Sequence, residues 1–172
     1  MNIQRIENKN DMEKIFIDFH LQIYRYIYYK TGQKKELAED LTEDVFVKVW
    51  TNRDSYKPEV SSIKSWVYAI ARYHVIDYYR KNKNIYETSE NEDTDYDKND
   101  NLNQDEGILI DEVKEGLSRL EKKDRDVIIL RYINSLSIEE ISELIHKKSS
   151  ATKVMIHRAL KHLKKVVDSY DY

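Results

Sequence analysis

A length of 172 residues allows one medium-sized domain or two small ones, and three glycines with a single proline favour helices over turn-rich all-β folds. Without cysteine, the chain can form neither disulfides nor thiolate metal sites. No apolar run approaches the roughly 20 residues of a membrane helix, so we expect a cytoplasmic protein with no membrane contact of its own.

Charge is distributed unevenly along the chain. The net charge is +3 over residues 1–85, −8 over residues 86–107 and +2 over residues 108–172, which gives the total of −3. The acidic segment has Leu102 as its only aliphatic residue, too little apolar surface to offset the entropy of ordering. We therefore predict an all-α chain with two small helical domains, 1–85 and 108–172, joined by a flexible acidic linker, 86–107. A solvated loop within one domain is the alternative.

Three helices are predicted in the first domain. The first spans residues 11–30, with Asn10 or Asp11 as N-cap, Gly32 as its stop, and a buried face of Ile15, Phe19, Leu21 or Ile23, and Ile27. The second spans residues 35–50 and buries Ala38, Leu41, Val45 and Val49. The third spans residues 62–81 and buries Ile63, Trp66, Val67 and Ile70. Both tryptophans, Trp50 and Trp66, are predicted to belong to the core.

Four shorter helices are predicted in the second domain. The first two span residues 108–120, with Ile110, Val113 and Leu117 buried, and residues 122–133, with Val127, Ile128, Leu130 and Ile133 buried. Ser137 and Glu140 have the spacing of a capping box and open a third helix that buries Ile138, Ile141, Leu144 and Ile145. After a turn at residues 146–148, Ser149 is expected to cap a last helix that ends near residue 168.

The last helix carries the most informative pattern. Residues 147–165 contain seven lysines and arginines and no acid. On a helical wheel an apolar arc, from Thr152 to Val167, lies opposite an arc with Lys153, His157, Lys161 and Lys164. An apolar back and a basic front after a capped helix and a turn indicate a helix-turn-helix motif. A solvated face of an ordinary bundle helix is the alternative.

Two parts of the chain resemble one family. In the second half, Leu130-Arg131-Tyr132, the run from Leu136 to Ile141, and Ile156-His157-Arg158-Ala159 resemble the C-terminal domain of extracytoplasmic-function (ECF) sigma factors. In the first half, the run from Ala38 to Trp50 is similar to the family's polymerase-binding helix. The run from Ser65 to Arg72, continued from Ile76 to Lys81, is similar to its minus-10 helix.

The resemblance implies a function without catalysis. It describes a bacterial sigma factor of the sigma-70 family, which binds core RNA polymerase and directs promoter-specific transcription initiation, with no cofactor. Its partners are the clamp helices of the largest polymerase subunit, the flap of the second-largest subunit, promoter DNA and an anti-sigma factor. A stand-alone helix-turn-helix regulator and a helical adaptor that binds only protein are the alternatives. The five histidines and the few glycines form no catalytic or phosphate-binding motif.

The resemblance also assigns residues to three surfaces. Core polymerase would be bound by Glu39, Asp40, Glu43, Asp44, Phe46 and Lys48. The minus-10 element would be bound by Tyr68, Arg72, Tyr73, Asp77, Arg80 and Lys81. The minus-35 element would be bound by Lys148, Ser149, Ser150, Lys153, Val154, His157, Arg158, Lys161 and Lys164.

The chain departs from the family pattern at several of these positions. Tyr73 stands where an Asn is common, and the turn reads His146-Lys147-Lys148 where relatives have Gly, an apolar residue and Ser. Because the apolar anchor of the turn is missing, the angle between the two helices of the motif and the promoter sequence it reads are left open.

Overall fold

The computed structural model describes residues 5–82 and 111–169, with side chains in the second range from Val113 onward. The chain divides into two compact units, Met1–Thr94 and Asp95–Tyr172. Within the described ranges every regular element is a helix, which confirms the all-α prediction. The predicted acidic linker, and the predicted start of the fourth helix at residues 108–110, lie outside the described residues.

The first unit contains three helices that pack against one another: α1 (Lys9–Lys30), α2 (Lys35–Thr51) and α3 (Ile63–Lys81). A 3₁₀ turn, Arg53–Ser55, follows α2. The predicted boundaries agree with these to within two residues.

The start of α1 differs from the prediction. Asn8, and neither Asn10 nor Asp11, is its N-cap, and Asn8 Oδ1 accepts a hydrogen bond of 3.1 Å from the Asp11 amide. The Asp11 carboxylate accepts the Asn8 amide in return, at 3.4 Å, which completes a capping box. The helix ends at Lys30 with Thr31 as its C-cap, and Gly32, the predicted stop, takes the left-handed conformation (φ +72°).

The core of the first unit is aliphatic on α2 and rich in tyrosine on α1. The predicted aliphatic residues on both helices are buried. Of the two alternatives, Leu21 and Ile23, Ile23 is buried and Leu21 is exposed. Four tyrosines of α1 are buried with them: Tyr24, Tyr26, Tyr28 and Tyr29.

Neither tryptophan belongs to the fully buried core, contrary to the prediction, because both lie at its edge. The Arg53 guanidinium lies 4.2 Å from the Trp50 ring centroid, and Trp66 packs beside Tyr56 with the ring centroids 5.3 Å apart.

The second unit contains α4 (Asp111–Arg119), α5 (Lys122–Ile128), α6 (Ile138–Ile145) and α7 (Ser149–Asp168). The predicted helix over residues 122–133 is α-helical only as far as Ile128 and continues as a π-helix, Ile129–Ile133. There the Asn134 amide donates to the Ile129 carbonyl, five residues back, at 3.0 Å. Apolar spacing over five residues cannot distinguish the two helix types.

The long helix α7 packs against α4, α5 and α6. A Cβ at Gly116 of α4 would lie 3.0 Å from Leu163 Cδ1 and 3.1 Å from Val167 Cγ2, so the close approach of α4 to α7 depends on this glycine. The buried Asp124 carboxylate of α5 lies 2.5 Å from His162 Nδ1. Core contacts and polar contacts such as this one thus fix the position of α7.

Candidate polymerase and nucleic-acid interfaces

The outer face of α2 is acidic. The side chains of Glu39, Asp40, Glu43 and Asp44 are exposed there because the apolar residues of α2 are used against α1 and α3. Val47 is also exposed, so an aliphatic group lies within the acidic face. An acidic surface that adjoins an apolar residue can bind a basic amphipathic partner.

Phe46 does not belong to the exposed face that the sequence analysis assigned to it. It is 5% exposed and packs edge-on against Phe16, with ring centroids 4.9 Å apart. His20 packs beside both rings. Phe46 therefore holds α2 against α1, while Phe16 and Ile17 of α1 remain exposed.

Asp44 is linked to α3 by a hydrogen bond. Its Oδ2 lies 3.1 Å from Nε2 of His74, a side chain that is largely buried between α2 and α3. Burial, followed by the nearby Lys48 charge, lowers the pKa of His74, so the imidazole is neutral near pH 7. The contact is then a hydrogen bond that the neutral ring donates to the Asp44 carboxylate.

An open groove lies between the end of α2 and the last turns of α3. It is lined by Lys48, Asn52, Ile70, Tyr73, His74, Ile76, Asp77 and Arg80. Four of these residues were predicted as site residues from the sequence, and Asn52, Ile70, His74 and Ile76 were not. The helical spacing of the lining residues on α3 could have indicated a shared face. Only the packing of α3 on α2 shows that this face adjoins Lys48 and Asn52.

The residues predicted to bind the minus-10 element differ in their exposure. Tyr73 is exposed, whereas Tyr68 is 0% exposed and packs edge-on against Tyr26, with centroids 5.8 Å apart. Tyr68 is therefore a core residue and cannot stack on a base, which corrects the prediction. Arg72 is half-buried.

Two cations near the end of α3 share one carboxylate. Asp77 lies 2.5 Å from Arg80 and 2.8 Å from Lys81. A hydrogen bond from Lys81, with the charges of Lys81 and Arg80, holds the pKa of Asp77 below its usual range. Asp77 is therefore ionised at neutral pH and offsets part of the positive charge.

In the second unit, α6, a tight turn and α7 form a helix-turn-helix. The predicted capping box is present: the Ser137 hydroxyl accepts the Glu140 amide at 3.1 Å, and the Glu140 carboxylate accepts the Ser137 amide at 2.7 Å. His146 takes the left-handed conformation (φ 54°, ψ 49°), which glycine adopts most readily. Lys148, and not Ser149, is the N-cap of α7, and it makes no side-chain capping bond.

The two faces of α7 agree with the predicted arcs. Thr152, Ile156 and Ala159 are buried, and the apolar residues farther along are half-buried. Of the residues predicted to bind the minus-35 element, Ser149 is half-buried and the others are exposed: Lys148, Ser150, Lys153, Val154, His157, Arg158, Lys161 and Lys164. The basic front is thus available to an anionic partner such as DNA.

Comparisons with known proteins agree with this organisation. The model of Sigma-70 region 2 matches residues 16–85, and that of Sigma-70 region 4 matches residues 110–163. RNA polymerase sigma factor YlaC of Bacillus subtilis (strain 168) is 30% identical over 93% of this chain and 94% of its own length. The ECF RNA polymerase sigma factor SigX of the same organism is 30% identical over 88% of this chain and 80% of its own length. The chain belongs to the ECF family of RNA polymerase sigma factors.

The fold of this sigma factor is shared with a solved relative. The sigma factor RpoE of Bartonella quintana, solved in complex with the anti-sigma factor NepR, matches with a TM-score of 0.74 and 20% identity, over 92% of this chain and 98% of RpoE. The region 2 match, together with the region 4 match, decides against a stand-alone helix-turn-helix regulator and against an adaptor.

As a member of this family, the sigma factor associates with RNA polymerase and binds promoter DNA in transcription initiation. Sigma factors are regulators and not enzymes. Among residues 5–82 and 111–169, no helix is long and apolar enough to cross a membrane.

Proposed function

We propose that the first unit binds core polymerase through α2 and the minus-10 strand through α3, and that the second unit binds the minus-35 element through α7. Residues 1–85 and 108–172 would be the two binding modules and residues 86–107 the spacer. The observation that carries this proposal is a pair of surfaces of opposite charge, an acidic face on α2 and an acid-free basic face on α7.

The acidic face of α2 would bind the clamp helices of the largest polymerase subunit. Asp40 and Glu43 lie on the side of α2 opposite its buried residues, with Val47 one turn farther along. Basic side chains of the partner would pair with the carboxylates, and an aliphatic residue would cover Val47. The second unit would contact the flap of the second-largest subunit.

The groove between α2 and α3 suits an unpaired DNA strand. Tyr73 offers an exposed ring for stacking, and Lys48 and Arg80 lie on the same groove to bind phosphates. Rings that stack on bases and cations that bind phosphates are the two features that single-strand binding uses. Tyr68 has no part in this surface and supports α3 from within.

The basic front of α7 would enter the minus-35 major groove. In helix-turn-helix proteins the first turns of the second helix reach the base edges. Lys153 and His157 are exposed polar residues in that part of α7, whereas Lys161 and Lys164 lie farther along, where phosphate contacts would position the protein.

We also infer that an anti-sigma factor controls this protein, in the cytoplasm where polymerase and promoters are found. RpoE, which shares the fold, was solved with the anti-sigma factor NepR. An anti-sigma factor recovered with the full chain from its source cells should be displaced by excess core polymerase and should inhibit transcription.

Run-off transcription tests the proposed function. Core polymerase with the full chain should initiate at discrete sites in a genomic promoter library, and core polymerase alone should not. The start sites should share two upstream elements with a fixed spacing. Transcripts that do not depend on the chain, or DNA binding without any effect on initiation, would contradict the proposal.

A further inference from the structure

The exposed face of α7 changes in character along the helix. In its first two turns the exposed residues are Ser150, Ala151, Lys153 and Val154, with a single positive charge. The following turns expose Arg158, Lys161, Lys164 and Lys165. The first two turns of α7 therefore carry a single positive charge and are partly apolar, while most cations of the helix lie beyond them.

Val154 is the large apolar residue of this exposed face, and packing within the protein does not account for it. Its side chain is 66% exposed. At about 100° per residue it lies roughly 160° from both Thr152 and Ile156, which are buried. A β-branched residue also has a lower helix propensity than the lysine or glutamate usual on a helix surface. Neither burial nor helix propensity therefore explains a valine here.

The neighbours of Val154 define its surroundings. The residues one turn before it are Ser150 and Ala151, and one turn after it are His157 and Arg158, and all four are exposed. Ala151 and Val154 thus form a small apolar spot with groups that can donate hydrogen bonds on both sides. Such a spot fits an apolar group that lies among hydrogen-bonding base edges.

We propose that Val154 contacts the 5-methyl group of a thymine in the minus-35 element. The proposal rests on the docking of α7 in the major groove given above. The thymine methyl is the apolar group that DNA bases present in that groove, and aliphatic side chains recognise it there. A valine cannot hydrogen-bond a base edge, so contact with this methyl is how it would contribute to sequence recognition.

The test removes the methyl group from the DNA and, separately, the methyl groups from the protein. Holoenzyme made with the full chain is bound to a promoter obtained by run-off selection. Each thymine of the minus-35 element is replaced in turn by deoxyuridine, which lacks only the 5-methyl. One such replacement should weaken binding about fourfold, which corresponds to one buried methyl group. Val154→Ala should weaken binding to the thymine promoter and lose most of the uracil penalty.

A matched control tests whether the effect on the uracil penalty is specific to Val154. Val60→Ala makes the same change at another exposed valine, outside α7, and should leave the uracil penalty intact. Val154→Thr keeps nearly the shape of valine but replaces one methyl group with a hydroxyl. It therefore separates the effect of side-chain shape from the effect of apolar character.

The outcomes also separate this proposal from the one it rests on. A uracil penalty that persists in Val154→Ala, or the absence of a penalty at every thymine, would overturn the thymine contact. If α7 does not bind the minus-35 element at all, a scrambled minus-35 element will bind as well as the native one. That result would instead overturn the assignment of α7.

Discussion

Asp77 limits the positive charge of the surface of α3 that we propose for the minus-10 strand. Its carboxylate contacts both Arg80 and Lys81, and these contacts keep it ionised at neutral pH. A phosphate that approaches this end of α3 must compete with Asp77 for the same two cations. The sequence places Arg80 and Lys81 one turn after Asp77, and the structure shows that both side chains pair with its carboxylate.

We expect Asp77→Asn to strengthen binding of holoenzyme to a fork-junction DNA with a single-stranded minus-10 element, because Arg80 and Lys81 become available to phosphates. The slope of log affinity against log salt should steepen by about 0.7 for each additional phosphate that the protein neutralises. Fluorescence anisotropy at several salt concentrations measures both quantities. Asp18→Asn, which removes the same charge from an exposed position on α1, is the control, and an equal increase in affinity for the two variants would contradict the local explanation.

His74 gives the first unit a pH dependence. Because the folded state lowers the pKa of His74, the unfolded chain binds more protons at mildly acidic pH. The contribution of His74 to stability is therefore complete above its unfolded pKa, about 6.5, and decreases as pH falls from there towards the lower folded pKa. Asp44 and Asp77 oppose the shift, while burial and Lys48 produce it.

We expect the free energy of unfolding to fall between pH 6.5 and 5 in the native chain, and to fall less in His74→Gln. Urea unfolding followed by tryptophan fluorescence measures this for the first unit alone, since both tryptophans lie in α2 and α3. Parallel pH profiles for the two proteins would contradict the role given to His74.

At the scale of single helices, most of the fold could be predicted from the sequence. Apolar spacing and capping residues are local signals, and they placed the boundaries of α2, α3, α6 and α7. Asn8 was missed as the N-cap of α1 because Asn8, Asn10 and Asp11 are all good capping residues, and only the formed capping box distinguishes them. The burial of Tyr68 and Phe46 depends on contacts with α1, which no local pattern contains.

A pair of buried hydroxyls connects the two helices of the helix-turn-helix. Ser142 Oγ of α6 lies 2.9 Å from Thr152 Oγ1 of α7. Ser142 Oγ is also 2.6 Å from the Ile138 carbonyl, and Thr152 Oγ1 is 3.2 Å from the Lys148 carbonyl. Either direction of the hydroxyl–hydroxyl bond leaves a carbonyl acceptor for the remaining hydrogen, so both groups are satisfied. The family pattern left the angle between the two helices of the motif open. This hydroxyl pair joins the two helices directly.

We expect Ser142→Ala and Thr152→Val each to destabilise the second unit by about 1–3 kcal/mol, because each leaves a buried hydroxyl with fewer partners. The double variant should cost less than the sum of the two, since it removes both polar groups. Urea unfolding followed by circular dichroism measures the three changes, and Ser169→Ala, an exposed hydroxyl near the end of α7, should change stability by less than about 0.5 kcal/mol. Strictly additive losses would show that the two hydroxyls do not interact.

For the whole molecule, the net charge of −3 conceals two surfaces of opposite sign. The acidic face of α2 belongs to the first unit and the basic front of α7 to the second. The sequence predicted this division because charge can be counted along a chain and assigned to helix faces. It could not predict the groove between α2 and α3, which exists only when the two helices pack.

The two surfaces should respond separately to charge reversal. Asp40→Lys with Glu43→Lys should weaken binding of the chain to core polymerase, because the reversed face repels a basic partner. Lys161→Glu with Lys164→Glu should leave that affinity unchanged and weaken binding of holoenzyme to promoters of any sequence, with a salt slope lower by about 2. Competition for fluorescently labelled core polymerase and promoter anisotropy measure the two affinities.

Because the altered residues lie on different units, the free-energy changes of the combined variant should add to within about 0.5 kcal/mol. A loss of polymerase binding on reversal of α7, or of promoter affinity in holoenzyme saturated with the α2 variant, would contradict this division of function.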